Sequence, residues 1–144
     1  GFTYDVLIYP NHLTAALALV KQFPNQPFVI DHLAKPLIKA GTINDWEIGI
    51  NALAQYDNVY CKISGMVTEA DWLEWKEADF TPYLDVIVAS FGIERIMFGS
   101  DWPVCLVAAS YEKMAAIVAN YFSRFSAAEQ ALIFGKNAIN FYHL

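Results

Sequence analysis

The chain has 144 residues, of which 56% are hydrophobic and 17% are charged, enough material for one compact domain with a well-filled core. The net charge is −6 and the basic side chains are scattered along the chain, which argues against a nucleic-acid partner. No apolar run approaches the ~20 residues that cross a bilayer, and the chain starts without the basic segment of a signal peptide. We therefore expect a cytoplasmic protein with no membrane partner.

Four short segments rich in β-branched and aromatic residues predict strands, at Phe2–Tyr9, Pro27–His32, Asn58–Ser64 and Glu94–Gly99. Each is followed by apolar residues at helical spacing, namely Leu13, Ala16, Leu17 and Val20, then Trp46, Ile50 and Leu53, then Leu84, Ile87, Val88 and Phe91, then Met114, Ile117, Val118 and Tyr121. Ser126 and Glu129 form a capping box for a last helix, which we expect Gly135 to end.

The order of elements is four consecutive βα units, and the near-continuous apolar strands indicate a parallel sheet. An open sheet that binds a nucleotide would carry a glycine-rich turn after a strand, and neither GxGxxG nor GxxxxGK[ST] occurs. Instead a polar residue follows each apolar run, at Tyr9, His32, Ser64 and Asp101. Active sites of (β/α)₈ barrels are built from such strand ends. A barrel takes ~250 residues, so this chain has room for half.

The motif FGSDWP, residues 98–103, places Asp101 directly after a buried strand. A carboxylate held there can act as a base toward water, because partial desolvation raises its basicity. The alternative is a loop aspartate that caps the helix beginning near Ser110. Trp102, beside Asp101, is a candidate to contact substrate.

The motif VIDHLAKP, residues 29–36, contains His32 and Lys35. If strand alternation continues, His32 faces the barrel mouth, where it would ligate a metal or polarise a carbonyl, and Asp31 faces the helices. A lone histidine is more often a satisfied core residue. Lys35 offers a cation to substrate, or is an ordinary solvated lysine.

The segment YCKISGMVTEADWLEW, residues 60–75, brings Lys62 into an otherwise buried strand. A lysine there is costly unless it is paired or faces a polar cavity, so Lys62 either lines the site or forms a structural ion pair. Trp72 and Trp75 offer aromatic surfaces that can cover a sugar or pyrone ring, although most such tryptophans simply pack. The two cysteines, Cys61 and Cys105, are expected to be reduced packing thiols.

Taken together, TYDVLIYP, FVIDHLAKP, VYCKISGMVTEADW, IMFGSDWPV and the closing FGKNAINFYHL resemble the last four βα units of the amidohydrolase-related lactonases. That family includes L-fucono-1,5-lactonase and 2-pyrone-4,6-dicarboxylate lactonase. The resemblance implies the C-terminal half of a TIM-type (β/α)₈ barrel that hydrolyses a cyclic ester. It also implies that Asp101, on strand eight, activates water, that His32, on strand six, polarises the lactone carbonyl, and that Lys35 binds substrate.

One departure concerns the metal. The family's first strand carries an H-x-H pair, and no H-x-H occurs in this chain. His32 and Asp101 would be ligands if a metal is used, but a complete ligand set for a divalent ion such as zinc cannot come from these 144 residues. We accordingly expect either no cofactor or a single divalent metal.

The start of the chain within what resembles strand five predicts a piece of a longer polypeptide whose first half supplies strands one to four. Four strands of a barrel leave sheet edges and an inner face uncovered, so we expect pairing with that half or self-association. The leading hypothesis is a hydrolase of a small sugar-derived lactone. The alternatives are a decarboxylase of the same superfamily and a catalytically incomplete half-barrel that only associates.

Overall fold

The computed structural model describes all residues of the chain, 1–144. Its four strands form one parallel sheet in the order β1-β2-β3-β4, with β1 at Tyr4–Val6, β2 at Phe28–Ile30, β3 at Val59–Ile63 and β4 at Ile96–Phe98. All four predicted strands are present, and each is shorter than its predicted range. The last residues of the predicted ranges lie outside the strands, in loops that carry the polar side chains.

Helices follow every strand, which confirms the α/β architecture of four βα units. They are α1 (Leu13–Gln22), α2 (Asn44–Ala54), α3 (Met66–Glu69), α4 (Glu77–Phe91), α5 (Tyr111–Phe122), α6 (Ala127–Ala131) and α7 (Asn137–Tyr142). Helices α1, α2, α4 and α5 bury the predicted apolar stripes against one face of the sheet. Within those stripes only Leu17, Val88 and Tyr121 are partly exposed.

The other face of the sheet, which would be the inner face of the predicted barrel, is partly covered by α7. Val29 on β2, Met97 on β4 and Phe141 on α7 are all buried in a small apolar cluster, with the Tyr60 and Tyr142 rings packed against it. We expected this inner face to be uncovered, and that expectation is wrong for the region that the chain's own last helix occupies.

The predicted end of the last helix at Gly135 is also wrong. The capping box of Ser126 and Glu129 is present, but the chain continues from α6 through a π-helical turn, Leu132–Lys136, into α7. Helix α7 ends at Tyr142 and is capped by His143, whose φ is 58°. Gly135 does not adopt the left-handed conformation for which a capping glycine is used, so nothing at that position stops the helix.

Two further findings concern the cysteines and the helix lengths. Cys61 and Cys105 are buried and unpaired, as predicted. None of the helices is both long and apolar enough to span a bilayer.

Candidate active site

His32 is placed by a left-handed turn at the end of β2. Residues His32, Leu33, Ala34 and Lys35 have φ values of 52°, 54°, 57° and 50°, a conformation that non-glycine residues rarely adopt. The surroundings hold it: Leu33 and Ala34 are buried, and the indole N–H of Trp46 donates to the Leu33 carbonyl oxygen at 2.6 Å. Backbone strain of this kind is retained where the packing around it dictates the conformation.

The expected position of Asp31 is wrong because the two faces of β2 were assigned the wrong way round. Val29 lies in the inner cluster and Ile30 in the core beneath the helices, so alternation places Asp31 on the inner side, and His32 reaches the site through the left-handed turn. Asp31 does not face the helices; its Oδ1 lies 2.6 Å from Lys62 Nζ, on the inner side of the sheet.

His32 lies between Ser64 and Asp101, which follow the two neighbouring strands. His32 Nδ1 is 2.7 Å from Ser64 Oγ, and His32 Nε2 is 3.5 Å from Asp101 Oδ1. Only 17% of the His32 side chain and 10% of the Asp101 side chain are exposed. Asp101 has a φ of 56°, so both residues of the pair have left-handed backbone conformations. The carboxyl ends of β2, β3 and β4 thus converge on one imidazole.

Burial keeps the His32 imidazole neutral at neutral pH. Burial lowers the pKa of His32 below its ordinary value of 6.5, against a smaller opposing effect of the Asp101 and Asp31 charges.

Helix α5 is capped by Ser110, whose hydroxyl accepts a hydrogen bond from the backbone N–H of Lys113. Asp101 is therefore not the cap of that helix, which was its alternative structural role.

Lys35 and Glu69 form a second polar cluster at this end of the sheet. Lys35 Nζ is 2.8 Å from Glu69 Oε1 and 5.5 Å from the centre of the Tyr9 ring. Burial lowers the pKa of Lys35, but the hydrogen bond and charge of Glu69 outweigh it and the net pKa is raised, so Lys35 stays charged. Tyr9, Lys35, Glu69 and Asp101 follow β1, β2, β3 and β4 respectively, so every strand end contributes to this region.

Lys62 is part of an ionic network on the inner face. Its Nζ lies 2.9 Å from Asp5 Oδ2 as well as beside Asp31, and the Tyr142 hydroxyl donates to Asp5 Oδ2 at 2.8 Å. Burial lowers the pKa of Lys62, but these carboxylates and the Tyr142 hydroxyl outweigh it and raise the pKa overall. With both carboxylates engaged, the geometry favours the structural ion pair, and a substrate contact for Lys62 stays a prediction.

The tryptophans occupy different environments. The Trp102 side chain is largely exposed next to Asp101, and Trp72 is also exposed while its indole N–H donates to the Thr68 carbonyl oxygen. Trp75 is packed on Phe80 and donates to the Ala108 carbonyl oxygen, so it serves structure. Substrate contacts of Trp102 and Trp72 stay predictions, with both rings free to make them.

His32 and Asp101 are the right types of ligand for zinc, but they are only two. Catalytic zinc sites have three protein ligands, and no group of three or more histidine, cysteine or acidic side chains in this chain is placed to hold an ion. The chain alone therefore does not provide a complete metal site.

Sequence reasoning missed three contributors. Ser64 was noted only as a polar strand end, Glu69 was not singled out, and Gly65 was not considered. Gly65 has a φ of 64°, and a Cβ on it would lie 2.8 Å from Cβ and Cγ of His32. The adjacent serine and glycine at the end of a buried strand were the available signal.

Comparison with known proteins identifies the family of the chain. Residues 2–144 match the family described as Amidohydrolase. The chain is 38% identical to the L-fucono-1,5-lactonase of Burkholderia multivorans over 99% of this chain and 52% of that protein. It is 37% identical to the L-fucono-1,5-lactonase of Burkholderia ambifaria over 98% of this chain and 50% of that protein.

The crystal structure of an amidohydrolase from Burkholderia multivorans with bound zinc superposes with a TM-score of 0.93 at 38% identity, over 99% of this chain and 53% of that one. The chain spans about half the length of the curated relatives it matches. Its four βα units are therefore the predicted half of a TIM-type barrel, and the chain belongs to the amidohydrolase family.

Proposed function

We propose that this chain supplies the active-site base and a carbonyl-binding histidine of a hydrolase that opens a small sugar-derived lactone. The observation that carries the proposal is the juxtaposition of His32 Nε2 and Asp101 Oδ1, 3.5 Å apart at adjacent strand ends. Barrel enzymes place their chemistry at this end of the sheet. The lactonase relatives at 37–38% identity support the substrate class.

In the proposed reaction Asp101 takes a proton from a water molecule, and the oxygen of that water forms a bond to the lactone carbonyl carbon. The neutral His32 imidazole donates a hydrogen bond to the carbonyl oxygen, where negative charge develops. The bond between the carbonyl carbon and the ring oxygen then breaks. The ring oxygen leaves with the proton that Asp101 took from the water, which regenerates the Asp101 carboxylate, and the product is a hydroxy acid.

Substrate contacts are assigned to the polar and aromatic groups around this pair. Lys35 and Glu69 together offer a hydrogen-bond donor and an acceptor, as hydroxyl groups require, and the exposed rings of Trp102 and Trp72 offer surfaces for a sugar ring. No contact in this chain specifically favours decarboxylation, the alternative within the superfamily.

We also propose that the active form is an eight-stranded barrel. Four further βα units, from another segment or from a second copy of this chain, would pair with the sheet edges and supply the remaining walls of the site. A metal site, if the complete barrel has one, would need its other ligands from those units. Under this proposal the isolated chain is the catalytically incomplete half-barrel that was the last of the alternatives from sequence.

The test is a pH-indicator assay against a panel of aldono-lactones, with zinc or chelator added. The chain is assayed alone and mixed with a polypeptide carrying the first four βα units of the Burkholderia multivorans relative. We expect acid release with at least one lactone, and a fall of at least ~100-fold for Asp101→Asn, the low end of a general base's contribution. Asp57→Asn, an exposed carboxylate outside the site, should not change the rate.

An unchanged rate for Asp101→Asn would remove Asp101 from the mechanism. No acid release from any lactone by the mixture, with both polypeptides folded, would refute the lactonase proposal.

A further inference from the structure

The hydroxyl of Ser64 has one hydrogen-bond partner, and that partner is His32. Ser64 is 1% exposed, so its O–H has no access to water, and the His32 Nδ1 atom at 2.7 Å is its only contact of this kind. A buried hydroxyl hydrogen needs an acceptor, since leaving it unpaired costs about 1–3 kcal/mol. A ring nitrogen accepts only when it carries no hydrogen.

The opposite ring nitrogen faces a carboxylate. His32 Nε2 lies 3.5 Å from Asp101 Oδ1, and an ionised carboxylate only accepts hydrogen bonds. A hydrogen on Nε2 is attracted to that oxygen, whereas a lone pair on Nε2 would face another lone pair. Both neighbours therefore favour the same arrangement, with Nδ1 as acceptor and Nε2 as donor.

The ring is also held in place sterically. Gly65 follows Ser64, and the space that a Cβ would fill at Gly65 is occupied by Cβ, Cγ and Nδ1 of His32, at 2.8 to 2.9 Å. The imidazole therefore packs directly on the backbone of residue 65. Ser64 fixes which nitrogen points to it, and Gly65 leaves room for the ring to reach it.

We propose that Ser64 is a positioning residue that holds His32 as the neutral Nε2–H tautomer, with its hydrogen directed to the side of the site where Asp101 lies. The functional meaning rests on the proposed lactonase reaction, because only the Nε2–H tautomer can donate to the carbonyl oxygen from that side. The opposite tautomer would expose an Nε2 lone pair, which is the form that ligates a metal.

The test is long-range ¹H–¹⁵N correlation spectroscopy on the chain labelled at histidine, at pH 8, well above the ordinary histidine pKa of about 6.5. The two tautomers have distinct nitrogen shifts, and there are only three histidines, so His32→Gln identifies the signals of His32. We expect the Nε2–H pattern in the wild-type chain. An Nδ1–H pattern would overturn the proposal.

Ser64→Ala should shift the tautomer ratio of His32 toward Nδ1–H by about five-fold, the equivalent of one neutral hydrogen bond. Ser64→Thr, which keeps the hydroxyl, should restore the wild-type ratio. Ser100→Ala is the matched control, because Ser100 lies beside Asp101 but bonds to the backbone N–H of Trp102. An unchanged ratio in folded Ser64→Ala would also refute the proposal. The spectra need no activity, so their outcome is separate from that of the lactone assay.

Discussion

Lys35 and Glu69 form a neutral pair beside the two residues proposed to carry the chemistry. Their charged atoms are 2.8 Å apart and both side chains are more than four-fifths buried, so the ion pair is only weakly screened by solvent. With His32 neutral, no cation is paired with the Asp101 carboxylate. The local charge is therefore negative, which suits a neutral hydroxylated ring better than a substrate that carries a carboxylate.

The Glu69→Gln substitution should change the selectivity of the enzyme. It keeps an acceptor oxygen but leaves the Lys35 charge unbalanced. The kcat/KM for carboxylated lactones should therefore rise relative to that for neutral aldono-lactones, because the free Lys35 charge attracts the substrate carboxylate. We expect the ratio of kcat/KM for the two classes to move about ten-fold, the equivalent of ~1.4 kcal/mol, mostly through KM. Competition assays with a neutral lactone and its uronic analogue measure this ratio.

Glu74→Gln is the control for that experiment, since Glu74 is an exposed carboxylate on the connection that follows α3, the helix that Glu69 ends, and it has no cationic partner. The ratio of kcat/KM for carboxylated and neutral lactones should change in Glu69→Gln and stay at the wild-type value in Glu74→Gln. If Glu69→Gln and Glu74→Gln gave the same ratio as the wild type, the pair would have no part in selecting substrate.

The pairing of His32 with Asp101 was predictable from sequence because both follow strands of a parallel sheet, whose carboxyl ends lie at one edge. The left-handed turn from His32 to Lys35 was not. None of its four residues is glycine or asparagine, so local preference points away from that conformation. Tertiary contacts impose it, notably the bond from the Trp46 indole to the Leu33 carbonyl oxygen, and such contacts leave no local pattern.

At the scale of elements, the connection from α6 to α7 was the least predictable part of the fold. The apolar stripes identified α1, α2, α4 and α5, because each packs one face on the sheet. Gly135 looked like a helix end, but the position of α7 is set by a contact far away in sequence. The Asn137 side chain donates to the carbonyl oxygens of Ile93 and Ile96, both at 2.7 Å.

Asn137→Ala should therefore destabilise the whole chain. The substitution removes a buried donor and leaves the Ile93 and Ile96 carbonyl oxygens without it, which costs about 1–3 kcal/mol in the free energy of unfolding. Urea denaturation followed by circular dichroism measures this loss. Asn140→Ala, an exposed asparagine on the same helix, should stay within about 0.5 kcal/mol of the wild type. Equal stability of the two variants would show that the Asn137 contacts do not anchor α7.

At the scale of the whole molecule, the two edges of the sheet are not equivalent. Strand β4 is flanked by the segment that leads into α7: Asn137 bonds to the Ile96 carbonyl oxygen, and the Phe134 ring packs on Phe98 at 5.4 Å between ring centres. Strand β1 pairs with β2 on one side only, and Phe2 and Leu7 at its two ends are exposed. An unpaired strand with apolar flanks is a template for pairing with another chain.

We therefore expect the purified chain to associate through β1, and Leu7→Lys to suppress the association. A lysine at an exposed strand edge opposes pairing because its charge would have to be desolvated or placed beside another strand. Multi-angle light scattering of the wild type should show species above the 16.2 kDa of one chain, and Leu7→Lys should return the mass toward that value. Leu73→Lys changes another exposed leucine, on the connection between α3 and α4, and should leave the wild-type distribution unchanged. A wild-type chain that is monomeric over the whole concentration range would contradict the argument from the β1 edge. Equal effects of the two lysine substitutions would show that the association depends on exposed apolar side chains in general and not on β1.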